Sequence, residues 1–187
     1  LYSQYMIKGQ VISGEFGKIL VRQKSSKDIE LGELLVSETN DNKVILQVYD
    51  LIYGSQISQQ NLELISGMNL EEDSELEIMD PLLRNYTLAI LKPLIATTKD
   101  SAKLCKLLPN FFSEVREIKN EDLKFLTKPK KPLYIGKLRS GSKVMDVDIF
   151  LQGEEVFSHH ILIPATTGKG KSNLTSVMLW DQVDKDY

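Results

Sequence analysis

Short apolar runs broken by turn-forming residues fill roughly the first third of the chain. "YMIKGQVIS" (Tyr5–Ser13) sets Gly9 within a β-branched stretch, and "KILVRQ" (Lys18–Gln23) follows breaks at Gly14 and Gly17. Leu31–Gly54 holds two apolar runs joined by Thr39, Asn40, Asp41 and Asn42, a good hairpin turn. Closely spaced strands with few helical signals predict a small antiparallel β-barrel over residues 1–84, with an irregular β-sandwich as the competing arrangement. Ile57–Glu77 reads as a short helix ending near Gly67, followed by an acidic exposed segment. Strand character returns at Asn85–Thr98.

Helical signals then take over. Asp100 or Ser101 is placed to cap "AKLCKLLP", and "PNFFSEVREI" and "NEDLKFL" each set a capping residue before apolar positions. Pro109 separates the first of these expected helices from the next. Residues 85–130 are therefore expected to form a strand, a helical segment and a linker. "TKPKKPLYIG" (Thr127–Gly136) is a lysine- and proline-rich connector, and residues from 131 onward begin another domain. There "YIGKLRSGSKVMDVDIFL" predicts a β-hairpin turning at Ser140-Gly141, with Val144, Val147 and Ile149 alternating against Asp146 and Asp148. An apolar strand (Ile161–Ile163), a glycine loop and a helix are expected to follow.

Composition changes this picture little. Across 187 residues charge is nearly balanced, at -3, but residues 1–90 carry a net -7 and residues 91–187 a net +4. The acidic half argues against a free-standing DNA-binding domain, whereas the basic half is suited to phosphate. The opening residues lack a signal-peptide pattern and no apolar run has the length of a membrane span, so a cytoplasmic protein without a membrane partner is expected. The one cysteine, Cys105, excludes an internal disulfide framework. It reads as a buried helix residue, since no thiolate-activating neighbour is evident.

The strongest chemical signal is "IPATTGKGKSNL", Ile163–Leu174. It satisfies G-x-x-x-x-G-K-[ST] at Gly170, Lys171 and Ser172, with Ala165 in place of the first glycine. A tight turn after a strand aims consecutive N–H groups inward around phosphate oxygens. Thr167, Gly168, Lys169, Gly170, Lys171 and Ser172 supply those donors, and Gly168 and Gly170 permit the dihedrals that such a nest requires. Lys171 would bridge the β- and γ-phosphates of ATP, the Ser172 hydroxyl would ligate Mg²⁺, and Asn173 is a neighbouring contact, as are Thr166 and Lys169. The following helix adds its positive N-terminal dipole.

Other features carry less. "VMLWD" (Val177–Asp181) resembles an apolar run ending in a Mg²⁺-holding aspartate. It begins six residues after Lys171, however, inside the helix that must follow the loop. Asp181, Asp184 and Asp186 are thus expected to face solvent. Adjacent His159 and His160 point apart and lack a ligand cluster, which favours a structural role over a metal site. For Lys128, Lys130 and Lys131 a solvated linker is favoured over contact with DNA phosphate.

Taken in order, "PLYIGKL", "VMDVDIFL" and "SHHILIPATTGKGKSNL" resemble the HerA family of DNA translocases. "GQVISGEFGKILVRQ" and "LGELLVSE" are similar to that family's small N-terminal barrel. The resemblance implies a mixed α+β chain: a HAS-barrel-like antiparallel barrel, a helical segment, and the beginning of a RecA-like α/β P-loop domain. It further implies a DNA-dependent ATPase that forms a homo-hexamer, pumps double-stranded DNA and works with a NurA-like nuclease docked on the barrels. By motif position Lys171 and Ser172 are the phosphate and Mg²⁺ residues. The family's acidic metal residue, catalytic glutamate and arginine finger have no counterpart here, so no catalytic residue lies within this chain and these residues alone are expected to be inactive. A docking module with a passive loop, or a related P-loop ATPase of different substrate, are the alternatives.

Overall fold

The structure, a computed structural model, describes residues 6–39, 42–72, 85–98, 101–183 and 185. They fall into two compact units, divided between Ile118 and Lys119.

The first unit is a closed antiparallel barrel of six strands. These are β1 (Ile7–Glu15), β2 (Lys18–Gln23), β3 (Leu34–Thr39), β4 (Asn42–Ser55), β5 (Asn85–Thr97) and β7 (Glu114–Glu117). Their order is β2-β1-β7-β3-β4-β5, and pairing of β2 with β5 closes the ring. A short β6 (Ala102–Leu104) adds to β5 outside it. Alternation decides which side chains turn inward: Ile19 and Val21 on β2, Leu46 and Val48 on β4, and Ala89 and Leu91 on β5 are buried together. Register shifts in β1, β4 and β5 bend these strands into the closed form. Gly9 allows β1 to lie close on β2, since a Cβ there would come 2.4 Å from the Arg22 carbonyl oxygen.

The barrel expected from the sequence is present, but it needs strands from beyond residue 84. The helices expected at "AKLCKLLP" and "PNFFSEVREI" are corrected to β6 and β7. β7 fills the space between β1 and β3, satisfying the inner edges of both and burying Val115 and Arg116. The Arg116 guanidinium is held by Glu38, with Nε donating to Oε1 at 3.1 Å. Those non-local hydrogen bonds and that burial outweigh the local capping preference. Cys105 is buried as expected, though in the loop after β6, where its thiol donates to the Leu107 carbonyl. Of the three helices expected between residues 101 and 126, only that at "NEDL" is helical, as one 3₁₀ turn (Asn120–Leu123) with Asp122 accepting the Lys119 N–H.

Thr39 pairs with Asn42 across the expected β3–β4 turn, whose Asn40 and Asp41 lie outside the described residues, as does Asp100. The helix expected to stop near Gly67 instead runs through it as α1 (Gln59–Glu72).

The second unit is built on the expected hairpin, β8 (Pro132–Ser140) and β9 (Lys143–Gln152), whose turn takes Gly141 at φ 59°. A short α2 (Gly153–Phe157) and the longer α3 (Lys171–Gln182) follow. α3 packs on β8, and Leu133 and Met178 are buried. No described helix is long and apolar enough to cross a membrane.

Candidate phosphate-binding loop

The segment leading into the loop departs from expectation. Ile161–Ile163 is not a strand: it runs without pairing, and Ile161 and Leu162 are exposed. An apolar run becomes a strand only where another strand takes its backbone groups, and among the described residues the sheet of this unit consists of β8 and β9.

The loop itself has the conformation its glycines permit. Gly168 and Gly170 lie at φ 80° and 83°, in the left-handed region. Gly170 is the residue from which α3 starts, and no side chain caps that end. Acidic residues are also absent from the first turn, so its amides have no intrahelical acceptor and the dipole there is uncompensated. Thr167, Gly168, Lys169 and Gly170 form the exposed turn, and Lys171, Ser172 and Asn173 the first turn of the helix, all open to solvent.

Lys171 folds back across this turn. Its ammonium donates to the carbonyl oxygens of Ala165 at 2.7 Å and Thr166 at 3.2 Å. One cation is thereby fixed over the same turn, in which the Lys169 N–H donates to the Thr166 carbonyl at 3.3 Å and the first-turn amides of α3 have no intrahelical acceptor. A phosphate oxygen entering there exchanges neutral carbonyl acceptors for a charged one, which strengthens the hydrogen bonds of the ammonium. Thr175 and Ser176 turn their hydroxyls to the carbonyls of Lys171 and Ser172, four residues back. The Ser172 side chain remains exposed at the loop.

Asp181 is not the solvent-facing residue expected from the sequence. Its Oδ2 accepts the Tyr134 N–H from β8 at 3.0 Å and the Lys185 ammonium at 2.6 Å. Lys185 also donates to the Pro132 carbonyl at 2.7 Å. These bonds tie the C-terminal end of α3 to β8, at the opposite end of the helix from the loop. Partial burial works to raise the Asp181 carboxyl pKa. The hydrogen bonds from Lys185 and Tyr134 and the nearby Lys185 charge outweigh it, holding the group below its ordinary range. Asp184 and Asp186 lie outside the described residues. Sequence reasoning missed this latch, although the i, i+4 spacing of Asp181 and Lys185 was a signal for an ion pair.

His159 Nδ1 lies 2.8 Å from the Glu155 carbonyl oxygen and 3.0 Å from Ser158 Oγ, so it closes the end of α2. No group of three or more potential metal ligands occurs among the described residues. In the connector, Lys131 pairs with Glu154 at 3.1 Å and Lys128 lies 5.0 Å from the centre of the Phe150 ring. Both therefore have partners within their own unit.

Residues 133–187 match a family model whose description is Helicase HerA, central domain. No curated protein matches the chain.

Proposed function

We propose, from the premise that this chain belongs to the HerA family through residues 133–187, that it forms part of an ATP-driven motor for double-stranded DNA. In this reading the second unit opens a RecA-like domain, and the barrel serves ring assembly in a homo-hexamer and docking of a NurA-like nuclease in DNA end resection. The residues present fit a nucleotide phosphate. Amides from Thr167 to Gly170 surround it, Lys171 neutralises it, Ser172 offers its hydroxyl to Mg²⁺, and Asn173 stands at the rim. Bound ATP supplies the free energy of γ-phosphoryl hydrolysis. The chain binds and orients the phosphate, but no acidic metal residue or catalytic glutamate is assigned within its 187 residues.

The observation that carries this reading is the pairing of two left-handed glycines with a lysine held across them, at an uncapped helix start. Titration of the whole chain with ADP or ATP by calorimetry tests it. Binding is expected, with a loss of about tenfold or more on Lys171→Ala, and steady-state hydrolysis near background. Equal binding by the variant sinks the phosphate assignment, and robust turnover sinks the assignment of catalysis elsewhere.

A second reading makes the barrel the working part and the loop a passenger. It is favoured by one observation: the barrel closes from residues 7–117 alone. Nuclease binding that survives Lys171→Ala unchanged supports it, and binding that requires nucleotide argues against it.

A further inference from the structure

Among the described residues, two apolar faces of the barrel unit are left open to solvent. One is on α1. This helix turns Leu62, Ile65 and Met68 to its half-buried side, while Leu64 and Leu70, 62% and 78% exposed, lie on the other side with Glu63 and Glu71. Gly67 falls between these four at helical spacing and is open to solvent, so the helix surface is bare at the centre of the face. A helix with apolar residues on both sides has a second surface to cover.

The other face is the end of β6 and the loop from it to β7. Leu104, Leu107, Leu108, Phe111 and Phe112 are all exposed, Leu104 at 79% and both phenylalanines at 61%. The loop is firmly held. The Phe112 N–H donates to the Val11 carbonyl and Gln10 Nε2 to the Phe112 carbonyl, while the Val11 N–H donates to Ser113. Phe112 is the one described residue other than glycine with a positive φ, 61°, and its ring packs edge-on against Phe111 at 4.5 Å. That backbone is strained for a residue other than glycine and keeps two aromatic rings in solvent. Lys103 and Lys106, both exposed, flank the patch and have no ion-pair partner among the described residues.

We infer that these faces are the two halves of one contact, α1 of one copy seating on the β6–β7 loop of the next. The charges match, Glu63 and Glu71 against Lys103 and Lys106, and leucines meet leucines and phenylalanines. Within one copy both faces stay exposed. α1 follows the Ser55–Asn85 end of the β4–β5 pair, whereas the loop is pinned to β1 at Gln10 and Val11 and to β3 at Ser37. The contact is therefore heterologous, and repeating it gives a ring or a filament. This rests on the self-assembly reading of the barrel above and is independent of nucleotide.

Sedimentation velocity of the whole chain over a concentration series, without nucleotide, tests it. The wild type is expected to self-associate. Glu63→Lys with Glu71→Lys, or Lys103→Glu with Lys106→Glu, is expected to weaken association by about tenfold or more through like-charge contact. Mixing the two double variants is expected to restore it. Phe112→Gly relieves the strained backbone, so its thermal midpoint is expected to hold or rise while association falls, which separates docking from folding. Association that ignores both charge reversals, or is not restored by mixing, overturns this contact and leaves ring assembly standing. A chain that stays monomeric at every concentration overturns both.

Discussion

The barrel and the phosphate loop are ordered by different means. In the barrel, Val21, Leu35, Leu46, Leu91 and Val115 are fully buried, and the closed ring leaves none of its six strands with two open edges. Its shape is set by burial and by pairing between distant residues. The loop buries nothing: every residue from Thr167 to Asn173 is exposed, and its form comes from two left-handed glycines and a lysine bonded to its own backbone. The barrel must therefore be sensitive to lost volume and the loop to lost donors or dihedral freedom, with little crossover between them.

The largest expected effect breaks the barrel side of that contrast. Leu91→Ala removes a fully buried side chain from the centre of the core, and a loss of about 2–5 kcal/mol is expected in urea unfolding. Nucleotide affinity of the protein that remains folded should not change. A loss far below that range would mean that the core is not what holds the strands together.

Lys171→Ala makes the converse test. It should remove about 1.5–3 kcal/mol of nucleotide binding, the worth of a charged hydrogen bond, and leave the barrel unfolding midpoint where it was. Gly170→Ala comes next. A Cβ there meets nothing within 4 Å, so the cost is conformational alone, about 1–2 kcal/mol for a left-handed alanine. If calorimetry shows ADP bound as tightly by this variant as by wild type, the left-handed turn is not what shapes the site.

The same division explains what could be read from the sequence. The loop was legible because its determinants are adjacent: glycines, a lysine and a helix start within a dozen residues. β1 to β5 were legible from alternation and turn residues. β7 was not, because "SEVREI" borrows its strand character from β1 and β3, more than 70 residues earlier in the chain. Local capping patterns around Asn110 and Ser113 pointed to helix, and the open edges they would have left on β1 and β3 decided otherwise. Ile161–Ile163 failed in the opposite direction, a strand-like run with no partner strand. The Asp181 contact was hidden because its acceptor role depends on Tyr134, far away in sequence and adjacent only after α3 packs on β8.

Asp181 gives the smallest effect and the finest test, since it concerns the end of α3 that the loop does not use. Asp181→Asn keeps an oxygen for the Tyr134 N–H but loses the ion pair with Lys185. Both side chains are partly exposed, 22% and 32%, so about 0.5–1 kcal/mol is expected at neutral pH. The pH dependence fixes the cause. Because the folded carboxyl lies below its ordinary value of 3.8, its contribution is fully present above that value. It is lost as pH falls through the lower, folded one. The gap in stability between wild type and variant should therefore be constant from neutral pH to about 5 and close in stronger acid. Unfolding of this unit is followed by the far-ultraviolet circular dichroism of α3, the helix that carries Asp181. A gap that persists undiminished in acid would assign the effect to packing against β8 and not to the charge of Asp181.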